Sequence, residues 1–412
     1  MSAGTLIVGA GQAGLQTAAS LRDAGYKDPI TLLGDEPALP YQRPPLSKAY
    51  LAGKTDAQGL WLRPPAYLDE HRIALRKEVR VARIERGART VHLADGESLP
   101  YEHLVLATGS RNRALPVPGA DLSGVYQLRS LADADALRSV LETAKRIVVV
   151  GAGFIGLEFA AVCAGKNLDV TVIEAADRVM ARAVSPETSG WFRQAHERMG
   201  VSFLMEAGVS AIEGQDGRAT AVTTAAGRSL PADLVLVGIG VLPNQELARE
   251  AGLTVRDGVN VDAFLATADP SVSAIGDCAR FPTRFAHGLS ADDHVRIESV
   301  QNAIDQGRCL AARIAGRPTA YDAVPWFWSD QGPHKLQIAG LAGPGDASVR
   351  RGEGEAFSVF RFREGALCAV ESVNRGGDHM AARRILQTGT ALSPEQAADP
   401  GFDLKALATG RR

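Results

Sequence analysis

Cysteine is scarce. Four occur in 412 residues, at Cys163, Cys278, Cys309 and Cys368, and no two form a C-x-x-C pair. That pattern argues against a disulfide framework, a zinc ribbon and a dithiol relay, and suits a reducing cytoplasm. Excess charge is also missing. Forty-five Lys and Arg against 47 Asp and Glu leave a formal net charge of −2. Neither nucleic acid nor an acidic membrane is expected as a main partner. No basic stretch precedes the first apolar run, MSAGTLIVGAG, so that run reads as a strand and not as a secretory signal. A membrane span needs about 20 apolar residues. The most apolar stretch, residues 147–164, is broken by Gly151, Gly153, Gly156 and a central Glu158, and a central acid is costly in lipid. His287 and His294 in HGLSADDH lack metal-ligand spacing, so no metal site is expected. Local motifs suggest no Ser–His–Asp or Cys–His machinery.

What the chain does have is one phosphate-binding pattern written twice. TLIVGAGQAG carries Gly9, Gly11 and Gly14; RIVVVGAGFIG carries Gly151, Gly153 and Gly156. Each G-x-G-x-x-G follows a β-branched run and opens a helix-like stretch. The first glycine makes a tight turn, the second lets backbone approach a pyrophosphate, and the third lets helix pack on strand. The pyrophosphate then rests on the positive end of the helix. Two such units predict two dinucleotides bound to one chain, and electron transfer between them is the simplest reason.

The rest of the chain arranges itself around these units. Ile30–Leu33 and YEHLVLA read as further strands, and the second unit continues through VTVIEAADRV to DLVLVGIG. After Tyr321 the texture changes. PWFWSDQ is an aromatic cluster, and KLQIAGLA, EAFSVFRF and ALCAVESV alternate as an antiparallel sheet would. The predicted fold class is α/β: two Rossmann-like dinucleotide-binding domains plus a C-terminal α+β domain. The first domain is expected to be discontinuous (1–112 and 244–320), with the second inserted (113–243) and the third closing the chain (321–412).

An acid about 20 residues past the glycines binds a ribose 2′-OH in such units. In the second unit this is Glu174, which accepts from a free 2′-OH and repels a 2′-phosphate. NADH is therefore expected over NADPH, although Arg178 and Arg182 lie nearby. In the first unit either Asp35 or Glu36 takes that place. FAD is expected there. The strand end Ala107-Thr108-Gly109 lets backbone approach the nucleotide, and Asp277, after Gly276, is placed to bond a ribitol chain.

With these motifs the chain resembles the FAD-dependent ferredoxin reductases of bacterial oxygenase systems, the family of putidaredoxin reductase and the biphenyl dioxygenase reductase component. The resemblance covers essentially the whole chain, and its most specific piece is PYQRPPLSKAYL at 40–51. It implies FAD contacts at Ala13, Asp35, Lys48, Val81, Arg129, Asp277 and Val300, with Gly11, Gly14 and Gly276 close by and Arg43 another pocket residue. Val300 stands where relatives often carry Trp. The NADH contacts implied are Gly153, Ile155, Glu158, Glu174, Arg182 and Gly240.

The reaction implied is hydride transfer from NADH to FAD, then single-electron transfer to a 2Fe–2S ferredoxin. That ferredoxin would serve a haem-thiolate monooxygenase or a ring-hydroxylating dioxygenase. Lys48 is the expected cation beside the flavin, stabilising negative charge that develops there. Glu158 either pairs with Lys48 or bonds the nicotinamide amide. Trp328 either shields the flavin or packs between domains. Arg308, Arg313, Lys335, Arg383 and Arg384 are candidates for a basic ferredoxin-docking face or are ordinary solvated charges.

Two rival readings share the scaffold. An NADH oxidase or peroxide reductase needs a redox cysteine where this chain has PYQRPPLS, and none lies before Glu158. A flavin-stabilised interaction protein resembling the apoptosis-inducing factors would benefit from strongly basic surface or extra insertions, and neither is seen.

Overall fold

The computed structural model describes residues 3–410, and the chain divides into two compact units. The first comprises residues 1–42, 60–111 and 242–327; the second comprises 43–59, 112–241 and 328–412.

The first unit is built on a parallel five-stranded sheet in the order Val272–Ala274, His103–Leu106, Thr5–Val8, Ile30–Leu33, Ile73–Arg76. The inner strands are short, β-branched or leucine-rich and buried on both faces, as parallel strands covered by helices must be, whereas the edge strand Ile73–Arg76 is partly exposed. The chain runs outward from Thr5–Val8 through Ile30–Leu33 to Ile73–Arg76, then returns to the other side with His103–Leu106. The carboxyl ends of Thr5–Val8 and His103–Leu106 thus flank the point where strand order reverses, where ligands bind in open α/β sheets. The Gln12–Asp23 helix leaves from that point and packs against the Val300–Ile314 helix. A Cβ at Gly307 would lie 3.2 Å from the Ala13 carbonyl, so glycine lets the two helices come this close. A three-stranded antiparallel sheet, Val81–Glu85, Thr90–Leu93 and Ser98–Pro100, is appended.

The second unit repeats the plan. Its parallel sheet runs Val201–Leu204, Asp169–Ile173, Arg146–Val150, Leu234–Val237, Val125–Tyr126. It also holds an antiparallel sheet in the order Trp326–Gln331, His334–Gly340, Ala366–Val373, Ala356–Arg363, Ala347–Glu353, the first strand entering from the end of the first unit. The last of these strands, ASVRRGE, has too many exposed and charged residues to stand out by alternation. The Gly376–Thr388 helix covers this sheet through Ala382 and Ile385 on Phe360 and Val370. Among the described residues no helix is long and apolar enough to cross a membrane.

Candidate functional site

The two glycine turns are built alike. Gly9 and Gly151 have φ of +115° and +105°, open to glycine alone at little cost. A Cβ at Gly9 would lie 2.1 Å from the Ala107 carbonyl oxygen, and one at Gly151 2.5 Å from that of Gly238. The third glycines meet the first: Cβ atoms at Gly14 and Gly156 would sit 2.0 and 2.2 Å from the Gly9 and Gly151 oxygens. The middle glycines are different. Nothing lies within 4 Å of a Cβ built on Gly11 or Gly153.

The helices that follow begin at these same middle glycines, and neither has a side-chain cap or an acid in its first turn. The helices that start after Ser130, Ser185, Ser299 and Ser393 are all capped by the serine hydroxyl. Two uncapped amino ends with open space before them suit the oxygens of two pyrophosphates.

Around the first turn the structure gathers several residues singled out from the sequence. A Cβ on Gly276 would lie 3.1 Å from that of Ala13, and the Gly276 N–H donates to buried Gln306 at 2.7 Å. The Asp277 carboxylate accepts from the Ser110 hydroxyl at 2.9 Å. Thr108 and Asn244 exchange two hydrogen bonds of 2.7 and 2.8 Å, which fix the strand end at Ala107-Thr108-Gly109. Asp35 is exposed, whereas Glu36 accepts from the Tyr41 hydroxyl at 2.5 Å. Asp35 is thus the more accessible of the two acids. Val81 is buried at the start of its strand, and Val300 is the first residue of a helix capped by Ser299.

Around the second turn, Glu174 reaches back onto backbone. Its carboxylate accepts from Ala152 N–H at 2.6 Å and from Ala176 N–H at 2.9 Å. Gly240, at φ +99°, lies under Arg182, whose Nη2 is 3.1 Å from a Cβ built there. Ile155, in the first turn of the Phe154–Gly165 helix, is 43% exposed, so this helix start carries an exposed apolar side chain.

The same helix carries Glu158, which is 2% exposed. Lys48, just after the Pro44–Ser47 turn, places Nζ 2.8 Å from Glu158 Oε1. Ser47 donates to Oε2 at 2.5 Å and Ser329 to Oε1 at 2.6 Å. Three donors around one buried carboxylate offset much of the cost of burying it. The Lys48 segment is held elsewhere too. Arg43 donates to the Arg129 carbonyl at 2.6 Å, and the Tyr50 hydroxyl donates to Asp135 at 2.5 Å, with Arg138 over the Tyr50 ring. The Arg129 N–H in turn bonds Asp133.

The residues that the resemblance assigns to FAD are thus divided. Ala13, Asp35, Val81, Asp277 and Val300 belong to the first unit, and Arg43, Lys48 and Arg129 to the second, as does half-buried Trp328. Two basic candidates are occupied internally: Arg313 donates to Ser273 and to the Pro270 carbonyl, and Arg308 pairs with Asp305. Burial pushes the Cys163 and Cys368 thiols up to about 12 and that of Cys309 to about 11, so none is a ready thiolate. Sequence reasoning missed Ser47, Ser329 and Gln331. Alternation was the available signal, since in WFWSDQ Ser329 and Gln331 turn inward and are fully buried.

Comparison with known proteins shows the family. Residues 4–307 match the pyridine nucleotide-disulphide oxidoreductase family and 326–408 the reductase C-terminal family. Rhodocoxin reductase of Rhodococcus erythropolis is 54% identical over 402 residues, covering 97% of this chain and 93% of its own. The crystal structure of the ferredoxin reductase for the CYP199A2 system from Rhodopseudomonas palustris superposes with a TM-score of 0.95 at 48% identity, covering 99% of this chain and all of that one. The reductase in the covalent putidaredoxin reductase–putidaredoxin complex also gives 0.95, at 38% identity, with coverage of 99% and 98%. The chain belongs to the pyridine nucleotide-disulphide oxidoreductase family.

Proposed function

We propose that this chain is an NADH-dependent ferredoxin reductase, carrying electrons from NADH through FAD to a 2Fe–2S ferredoxin that serves an oxygenase. The observation that carries this reading is the pair of uncapped helix starts at Gly11 and Gly153, each opening on free space. FAD, when bound, takes two electrons as hydride and releases them singly, which is what joins a nicotinamide to a one-electron iron–sulfur partner.

The chain's own residues bind, orient and hold charge. The Gly9–Gly14 turn, Asp35, Ala107–Gly109, Gly276 and Asp277 hold FAD, with Val81 and Val300 flanking it; Arg43 and Arg129 are assigned to FAD by the resemblance. The Gly151–Gly156 turn, Ile155, Glu174, Arg182 and Gly240 hold NADH. Lys48 keeps a cation for negative charge developing on the flavin, and Glu158 fixes that cation. Trp328 shields the isoalloxazine. The domains we assign are residues 1–112 with 244–320, 113–243 and 321–412, and the compartment is the cytoplasm.

The test is anaerobic mixing of the FAD-loaded protein with NADH, followed by addition of a panel of 2Fe–2S ferredoxins. Rapid bleaching of the flavin and rapid reduction of at least one ferredoxin are expected. Slow bleaching, with no ferredoxin reduced, would favour the interaction-protein reading. A stoichiometric sulfenic acid after peroxide would favour the peroxide reductase.

A further inference from the structure

Ser329 and Gln331 lie two residues apart on one face of the Trp326–Gln331 strand, and both are fully buried. Three hydrogen bonds pass through them in series. Ser329 Oγ donates to Glu158 Oε1 at 2.6 Å, Gln331 Nε2 donates to Ser329 Oγ at 3.2 Å, and His196 Nε2 stands 2.8 Å from Gln331 Oε1.

The direction of the series is fixed by valence. Glu158, ionised against Lys48, can only accept, so the one hydroxyl proton of Ser329 goes to it. The Ser329 oxygen must then accept from the amide nitrogen of Gln331. That turns the Gln331 oxygen to His196, whose Nε2 must carry the proton. Burial holds the His196 imidazole down to about 4, so it stays neutral at ordinary pH, and its Nδ1 has no partner. Every proton in the series points toward Glu158. Aligned bonds of this kind polarise one another in a low-dielectric interior.

We propose that Ser329 is a positioning residue for the Glu158–Lys48 pair, with Gln331 and His196 fixing its hydroxyl. Its role is to donate to Glu158 and to aim the carboxylate oxygen that holds the Lys48 ammonium. Without the hydroxyl, Oε1 keeps Lys48 alone, and a buried carboxylate that loses a donor binds its proton more readily. The proposal rests on Lys48 being the cation that acts on the flavin.

The ionisable surroundings are few. Lys48 is the charge on Glu158 itself. Behind Gln331 stands His196, which feels His334 from the neighbouring strand, and His334 in turn feels Arg198 and Glu355.

The chain has eight lysines, so Lys48 can be followed singly by NMR in oxidised, FAD-loaded protein labelled at lysine Cε. Lys48→Arg assigns the signal. The Lys48 resonance reports protonation of Glu158 as an acid-side inflection. In Ser329→Ala that inflection should rise by about one pH unit, and Ser329→Thr should restore it. Gln331→Met, which leaves the hydroxyl unsupported, should shift it the same way by about half as much. The acid limb of flavin reduction by NADH should move with it. An unmoved inflection in folded Ser329→Ala overturns the proposal; if that variant does not fold, an unmoved inflection in Gln331→Met does so. A wild-type reduction rate in Lys48→Met would instead remove the role of Lys48 toward the flavin, while the inflection read in Lys48-containing protein would still decide the role of Ser329.

Discussion

Glu371 holds Ser185 at both its backbone N–H and its hydroxyl. The N–H donates at 2.8 and 3.0 Å to the two carboxylate oxygens, and the hydroxyl donates at 2.7 Å. Ser185 is the cap of the Pro186–Arg198 helix, and Glu371 belongs to the Ala366–Val373 strand. Arg361 completes the charge balance at 3.0 Å, with all three side chains buried. This arrangement ties the antiparallel sheet to the helix that carries His196.

Removing one member of a buried pair leaves the other uncompensated, at a cost of about 3 kcal/mol or more. Glu371→Ala should therefore lower stability by about that much in urea denaturation. Glu371→Gln keeps an oxygen for Ser185 and should cost less. Equal losses for the two would show that the bonds to Ser185 add nothing to the charge pair with Arg361.

Lys48→Met removes the ammonium while keeping length and apolar bulk. Loss of one preorganised charge slows such steps about 100-fold. Stopped-flow reduction of the flavin by NADH should slow by about that factor, with FAD content unchanged.

Glu174→Ala should erode the preference for NADH over NADPH. A hydrogen bond to a charged group is worth about 1.5–3 kcal/mol, so the ratio of kcat/KM for the two coenzymes should fall by about tenfold or more. An unchanged ratio would take Glu174 out of coenzyme selection.

His196 predicts an acid-side loss of stability. Its folded pKa of about 4 lies below the ordinary 6.5. Between those values the unfolded chain binds a proton that the native protein refuses. Its contribution is complete above about pH 6.5 and is lost as pH falls toward 4. His379 is lowered in the same way, so the comparison must be with a variant. His196→Gln should flatten the stability profile by about 2 kcal/mol across that window, measured as denaturation midpoints at successive pH values. A profile parallel to wild type would contradict it.

Much of this molecule could be read before its fold was known, and the reason is local chemistry. Gly9, Gly11, Gly14 and their second copies meet steric demands set within a few residues, so spacing alone exposes them. Glu174 follows its glycines at a distance set by one helix and one strand. Ser329 was not legible in that way. It meets Glu158 across 171 positions, a pairing set by tertiary packing and not by any local pattern. The Arg363 ion pair with Asp346 escaped for the same reason, as did the hydrogen bonds of Asn244 to Thr108. The Ala347–Glu353 strand stayed hidden because its side chains are largely solvated, which removes the hydrophobic signature of a strand.

Glu174 has two duties that an engineer would wish to separate. The oxygen proposed to recognise the sugar is part of the carboxylate that buttresses Ala152 inside the glycine turn. Deleting this acid to retarget the protein to a phosphorylated coenzyme would also unfasten the glycine turn at Ala152, where we propose that the coenzyme sits. A replacement that still accepts from Ala152 but carries no charge, such as Gln, offers a gentler route than truncation.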